Sequence, residues 1–259
     1  MSKVIDDFFS LLCFFTSIPI PKHLCKSSEF SSLYLIPLIG FIKGVVIALP
    51  IAILRILNFD IFITTSIVLI LHFTVQGFLH ADGFIDFSEA LLAHRLGIDP
   101  YMVIKDKYKG SYAIAVFVVF VLFLYTSLYG LLNKLTPLNS FIYIVLSETW
   151  SLTSVLILSY FSSTSLKGLG REFKEGIDFH DVIIGLVIIF TINVTTIIPI
   201  KGLIGGIYSF ISSLIPIVFS VMFSHTLSVK TLGFITGDVL GFTVELTYAL
   251  VVITYFILV

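Results

Sequence analysis

The sequence is poor in charge. Lys, Arg, Asp and Glu make up 12% of its 259 residues, about half the share usual in soluble domains, so an ordinary soluble domain is excluded. A net charge of −1 gives no basis for a nucleic-acid partner. Cysteine is scarce as well. Cys13 and Cys25 form no CxxC and have no histidine at ligand spacing, which argues against a zinc or redox site and leaves them to packing. No small-residue cleavage site follows "FFSLLCFFTSIPIP", and Asp6 and Asp7 precede it, so the N-terminus does not read as a signal peptide. The chain also lacks a solenoid repeat, a low-complexity tract and the polar–apolar alternation of an outer-membrane barrel.

What it has in abundance is apolar length. Apolar residues are 58% of the chain and mean hydropathy is +1.10, and runs able to cross ~30 Å of hydrocarbon recur throughout. The expectation is an all-α, polytopic membrane helical bundle, one integral membrane domain over 1–259. Seven runs qualify as spans, at about 33–57, 59–79, 112–132, 138–161, 182–200, 203–224 and 236–258. The stretch from Phe8 to Pro21 is too short to cross and ends in two prolines, and reads as an interfacial or re-entrant helix. With seven spans, eleven of the fifteen Lys and Arg fall on the N-terminal side, three on the other, and Lys43 inside the first span. That bias puts the N-terminus in the cytoplasm of a multi-pass protein of the cell membrane. Nearly all the loop acids share that side.

Two stretches of acids stand out. In "GFLHADGFIDFSEALLAHR", Asp82, Asp86 and Glu89 lie four and seven residues apart, on one helical face within roughly 40°. A column of like charges beside a membrane calls for a cation. Mg²⁺ suits, because it takes oxygen ligands from one or two carboxylates together with substrate phosphates. Gly77 and Gly83 flank His80 and would let a phosphate approach the backbone. Near the other end, "GFITGDVLGFTVEL" offers Thr236 as a helix cap before Gly237 and Asp238. Glu245 shares the face of Asp238 seven residues on, with Gly241 between them to admit a neighbour.

Between these lies "IKDKYKGSY", where Lys105, Lys107 and Lys109 precede Gly110 and a helix start, an anion cradle or a positive-inside signal. Asp106 is not required by topology and is a further metal-ligand candidate. Glu148 and Glu245 fall inside spans, where an ionised carboxylate is costly unless paired; such acids read as functional, and a buried glutamate kept neutral or paired with Lys43 would be structural. His72 and Gln76 read as helix-packing residues.

Taken together, "FFTSIPIPKH", "YLIPLIGFIKG", "HADGFIDFSEAL", "KDKYKGSY" and "TGDVLGFTVEL" resemble the cobalamin synthase family, the membrane-embedded adenosylcobinamide-GDP ribazoletransferases, over most of the chain. The resemblance implies that alpha-ribazole, or its 5'-phosphate, is joined to adenosylcobinamide-GDP with release of GMP and a requirement for Mg²⁺. Residue by residue it reaches His80, Asp82, Asp86, Lys105, Asp106, Gly110, Gly237 and Asp238. Glu89 stands where the family often has Asp, Lys107 and Tyr108 where a Ser-Arg pair is common, and Ser17 where Arg is common.

The site expected on these grounds has His80, Asp82 and Asp86 as catalytic residues. Lys105, Lys107, Lys109, Gly110, Arg171, Thr236 and Gly237 would hold substrate, and Asp82, Asp86, Glu89, Asp106, Asp238 and Glu245 the metal. Two other classes compete. A phospholipid synthase of the CDP-alcohol phosphotransferase type also clusters aspartates at a membrane edge, but "DGFIDFSEALLAHR" lacks its Ala-Arg and later paired Asp. An ion-coupled transporter would spread its acids along a path through the bilayer, whereas these crowd one face. The sequence leaves a homo-oligomer open.

Overall fold

The computed structural model describes residues 3–25, 31–106, 108–162 and 168–259. Among the described residues there are helices and no strands. They are α1 (Lys3–Phe15), α2 (Ile36–Ile56, entered through a 3-10 turn at Leu33–Leu35), α3 (Ile61–Val75), α4 (Leu79–Arg95), α5 (Pro100–Ile104), α6 (Ser111–Lys134), α7 (Pro137–Phe161), α8 (Leu169–Glu175), α9 (Phe179–Thr231) and α10 (Gly237–Leu258). The protein is an all-α, polytopic membrane protein. Leu33–Ile56, α6, α7, α9 and α10 are each long and apolar enough to cross a bilayer, and α3 with α4 is a sixth if that pair, bent by 86°, counts as one.

Helix starts follow local chemistry. The Asp60 carboxylate accepts from the N–H groups of Phe62 and Ile63 to open α3, and Thr136 caps α7 just before Pro137. Asp178 and Asp181 form a reciprocal capping box at α9. Each satisfies N–H groups that a first turn leaves without partners.

A single helix of 53 residues would be about 80 Å long, more than twice the hydrocarbon thickness. The chain avoids this at Gly202, whose φ of +67° and ψ of −176° break the helix. Asn193 Nδ2 donates to Gly206 O at 3.1 Å, a pair that an unbroken helix would hold roughly 20 Å apart. α9 is therefore two antiparallel legs, and six of the seven apolar runs each lie on a helix or leg of their own, whereas the run at 59–79 overruns the end of α3 at Val75 and reaches Leu79 of α4.

The core is built around α7, which is buried on nearly all sides. α2 lies against it through Gly40 and Gly44. A Cβ at Gly40 would come within 2.9 Å of Thr149 Cα, and one at Gly44 within 2.8 Å of Val145 Cα. Small residues four apart let two backbones touch, the usual way membrane helices gain packing where lipid offers no hydrophobic drive. α6 and the α9 legs expose large apolar side chains outward.

Three bases mark one end of the bundle. Arg55 donates to the carbonyls of Leu132 and Leu135, Lys134 to that of Phe256, and Lys201 sits 5.8 Å from the Tyr143 ring. The loops rich in acids and lysines lie at the opposite end.

Two expectations need correction. The N-terminal helix was placed over Phe8 to Pro21, but it begins at Lys3 and stops at Phe15, because Pro19 and Pro21 bring no N–H to a further turn. Cys13 and Cys25 are not simply packed residues; they form a disulfide across 12 residues, clamping the chain that leaves α1.

Candidate active site

The site begins with a bend. Gly77 and Phe78 both adopt φ of +59°, a left-handed geometry that a phenylalanine takes only when its surroundings impose it. The helix of α3 ends there, and α4 leaves at 86°, departing from the crossing direction with His80, Asp82, Asp86 and Glu89 on it. Asp82 is exposed, His80 and Asp86 are buried, and Glu89 is half-buried.

α4 meets α10 at two glycines. A Cβ on Gly83 would stand 2.9 Å from Asp238 O and 3.1 Å from its Cα, and one on Gly241 would stand 3.2 Å from both Cα and O of His80. Those separations are tighter than ordinary side-chain contact, so only glycine lets the two backbones close. The crossing brings His80, Asp82, Gly237 and Asp238 onto one cleft of about 80 Å³. Thr236 caps α10 as expected, its hydroxyl accepting from Val239 N at 3.3 Å.

The basic loop docks on the acid column. Lys109 Nζ lies 2.9 Å from Asp86 Oδ1, and Gly110 N donates to Glu89 Oε1 at 2.7 Å. Burial pushes the Asp86 carboxyl up to about 6; the Lys109 ammonium opposes the rise, while Asp82 and Asp238 add to it. Burial lowers the proton affinity of His80, and the Lys43 and His72 charges lower it further. The imidazole is thus neutral, and its buried Nε2 has no hydrogen-bond partner.

Other expected residues are not among those that line the cleft. Lys105 Nζ stands 4.0 Å over the Tyr101 ring, and Asp106 Oδ1 accepts from Tyr108 N. Arg171 Nε is 2.6 Å from Glu175 Oε1 on α8. Lys107 lies outside the described residues. Glu245, expected as a metal ligand, is instead held away from the cleft, its Oε1 accepting from Gln76 Nε2 at 2.6 Å and its Oε2 lying 3.1 Å from His72 Nε2. Its inward position on the α10 face, two turns beyond Asp238, is the physical reason.

Sequence reasoning missed the apolar wall. Phe14 and Phe15 from α1 and Phe173 from α8 line the cleft opposite the acids, with the Phe15 ring 5.9 Å from that of His80 and 5.8 Å from that of Phe173. Nothing in "LCFFTS" or "REFKEG" marks these rings as neighbours, since the contact spans most of the chain.

Among the described residues, no three His, Cys, Asp or Glu side chains converge as a ready-made metal cage. A phosphate-bound Mg²⁺ does not need one, since one or two carboxylates with phosphate oxygens and water complete its shell. The donor set fits such an ion. Asp82 and Asp238 flank one cleft, and Glu89 Oε2 is buried without a partner.

Apolar helices closing on a carboxylate- and imidazole-lined cleft define a polytopic membrane protein with its polar chemistry gathered at one end of the bundle. Residues 7–256 match the cobalamin-5-phosphate synthase family. The chain belongs to that family. It is 30% identical over 248 residues to an adenosylcobinamide-GDP ribazoletransferase of Clostridium perfringens, covering 91% of each chain. A protein of the same description from Archaeoglobus fulgidus is 28% identical, with 93% of this chain and 92% of the relative covered. One from Clostridioides difficile is 28% identical over 97% of both. No solved structure matches the chain. The phospholipid-synthase and transporter readings are not favoured by these matches.

Proposed function

We propose that this chain performs the nucleotide-loop assembly step of cobalamin biosynthesis, joining alpha-ribazole or its 5'-phosphate to adenosylcobinamide-GDP with release of GMP. The reading places the reaction at the cytoplasmic face of the cell membrane, where both soluble nucleotide and acceptor are present. One observation carries it: the Gly83–Gly241 backbone contact sets Asp82 and Asp238, far apart in sequence, on one cleft with His80.

Phosphoryl transfer asks for alignment and charge neutralisation more than for covalent help from the protein. Asp82 and Asp238 would hold Mg²⁺, with Asp86 and Glu89 adding negative charge behind them; when bound, the ion neutralises the diphosphate. Lys109, which balances Asp86 in the column, would hold a non-bridging phosphate oxygen. A ribose hydroxyl of the acceptor attacks the phosphorus attached to cobinamide. The new P–O bond forms as the bond to the GMP oxygen breaks, and GMP leaves with that electron pair. Neutral His80 takes the hydroxyl proton at Nε2. The phenyl rings opposite exclude water, which would otherwise compete as acceptor.

The test is to incubate membranes containing the protein with adenosylcobinamide-GDP, alpha-ribazole and Mg²⁺ and to measure GMP. Asp82→Asn should remain in the membrane and lose nearly all Mg²⁺-dependent release. Turnover close to that of the parent protein would remove Asp82 from the mechanism.

A further inference from the structure

Beneath the cleft lies a group of charges that the proposed chemistry does not use. Lys43, His72, Gln76, Glu148 and Glu245 are buried at or below 2% exposure. Lys43 Nζ is 2.9 Å from Glu148 Oε2 and donates to Gln76 Oε1 at 3.0 Å. His72 Nδ1 is 2.7 Å from Glu148 Oε1, and His72 Nε2 faces Glu245 at 3.1 Å. Both ring nitrogens thus face carboxylate oxygens, and only an imidazolium donates from both. Two cations and two anions then cancel inside the bundle. Well-packed apolar residues would often be at least as stable in their place, so stability alone does not account for them.

Their position does. His72 and Gln76 occupy the last turn of α3, immediately before the left-handed pair Gly77 and Phe78 that turns the chain into α4. Ser17 ties the exit of α1 to the same turn through the carbonyls of Thr74 and Val75. Glu245 lies two turns, about 10.5 Å, along α10 from Asp238, with Gly241 between them against His80. Lys43 and Glu148 join this pair to the α2–α7 contact beside Gly44. Four helices are therefore pinned at one level, and the bend and the rotation of α10 follow from it.

We propose that this buried charge-balanced network is a positioning device for the transfer site, fixing the α3–α4 bend and the rotation of α10 so that Asp82 and Asp238 face one another. The functional part of this inference rests on the reading under Proposed function; the geometric part does not.

The experiment replaces one cation and one anion together. In Lys43→Met/Glu148→Gln, His72 and Glu245 still cancel, so the thermal midpoint in detergent should stay near that of the parent. Distance is read separately, by copper-phenanthroline cross-linking of Asp82→Cys with Asp238→Cys in a Cys13→Ser/Cys25→Ser background. Adding the double replacement should slow cross-linking at least tenfold. On the natural cleft it should lower the kcat of GMP release at least tenfold, with the half-saturating adenosylcobinamide-GDP concentration unchanged, a split that general loosening would not produce. Cross-linking at the parental rate overturns the proposal, as does a parental kcat in the folded double variant. Should that variant fail to fold, Gln76→Leu, which leaves every charge balanced, decides by the same two measurements. Should the Asp82→Cys/Asp238→Cys protein cross-link readily while the natural cleft releases no GMP, the functional reading falls and the positioning inference stands.

Discussion

Replacing Gly83 by alanine tests the crossing on which the site depends. The added methyl would lie 2.9 Å from Asp238 O and 3.1 Å from Asp238 Cα. Both obstacles are backbone, so α4 and α10 must part by about half an ångström or more to restore ordinary contact, an overpacking that costs about 1–3 kcal/mol. The effect on catalysis is expected to exceed the effect on stability. A displacement of about 1 Å between catalytic groups can cost on the order of a hundredfold in rate, so half of that predicts a loss of roughly tenfold or more in GMP release. Gly241→Ala meets His80 at 3.2 Å and should do the same more mildly. Gly130→Ala is the control, because its methyl would meet the ring of Phe256, a side chain able to swing aside at the opposite end of the bundle. Rates from purified protein, normalised to the folded fraction, should fall in the order Gly130→Ala, Gly241→Ala, Gly83→Ala. Parental turnover by Gly83→Ala would refute the claim that this contact sets the site.

Other outcomes follow from the acid column and the N-terminus. Asp86, held up at about 6, takes up its proton as pH falls through that value and loses both its pairing with Lys109 and its charge toward a metal, so GMP release should show an acid limb near pH 6 that Asp86→Asn removes. Saturating Mg²⁺ should move that limb downward; a limb indifferent to both would exclude Asp86 as its source. Glu89→Gln keeps an oxygen for Gly110 N and should lose less than Glu89→Ala, which forfeits a charge-assisted hydrogen bond of about 1.5–3 kcal/mol and frees the lysine loop; equal activity of the two would show that the loop needs no anchor. The only cysteines are Cys13 and Cys25, so after reduction an impermeant maleimide reports the side of α1. Labelling of inverted vesicles but not of intact cells supports the cytoplasmic assignment, and the converse result overturns it.

The helices were legible because apolar length is a strong signal, and even the break at Gly202 fell between two of the expected runs. The acid column was legible from its spacing, and Gly241 from its place between two acids. Glu245 misled for a specific reason: spacing fixes a shared face, and a face two turns long can serve two neighbours. Asp238 lies with its backbone against Gly83 of α4, and the Glu245 carboxylate reaches His72 of α3. That a buried glutamate could pair with Lys43 was visible as a demand for charge compensation, whereas the choice of Glu148, the joining of His72 to both glutamates and the bridging of Lys43 to Glu245 by Gln76 needed the helices in place. The aromatic wall could not be read, since it depends on α1 and α8 folding over the same end of the bundle. The cysteines were misread because spacing without a metal motif says nothing about two thiols brought together by a turn.

The crossing of α4 with α10 also has a temporal meaning. Asp238 is synthesised more than half the chain after Asp82, so the acids of α4 are made long before the helix that completes their cleft. The lysine loop follows soon after α4, and in the finished fold Lys109 and the Gly110 amide meet two of its acids, Asp86 and Glu89. The cleft therefore cannot acquire its second wall before α10 has been made, because Gly241 and Asp238 supply it.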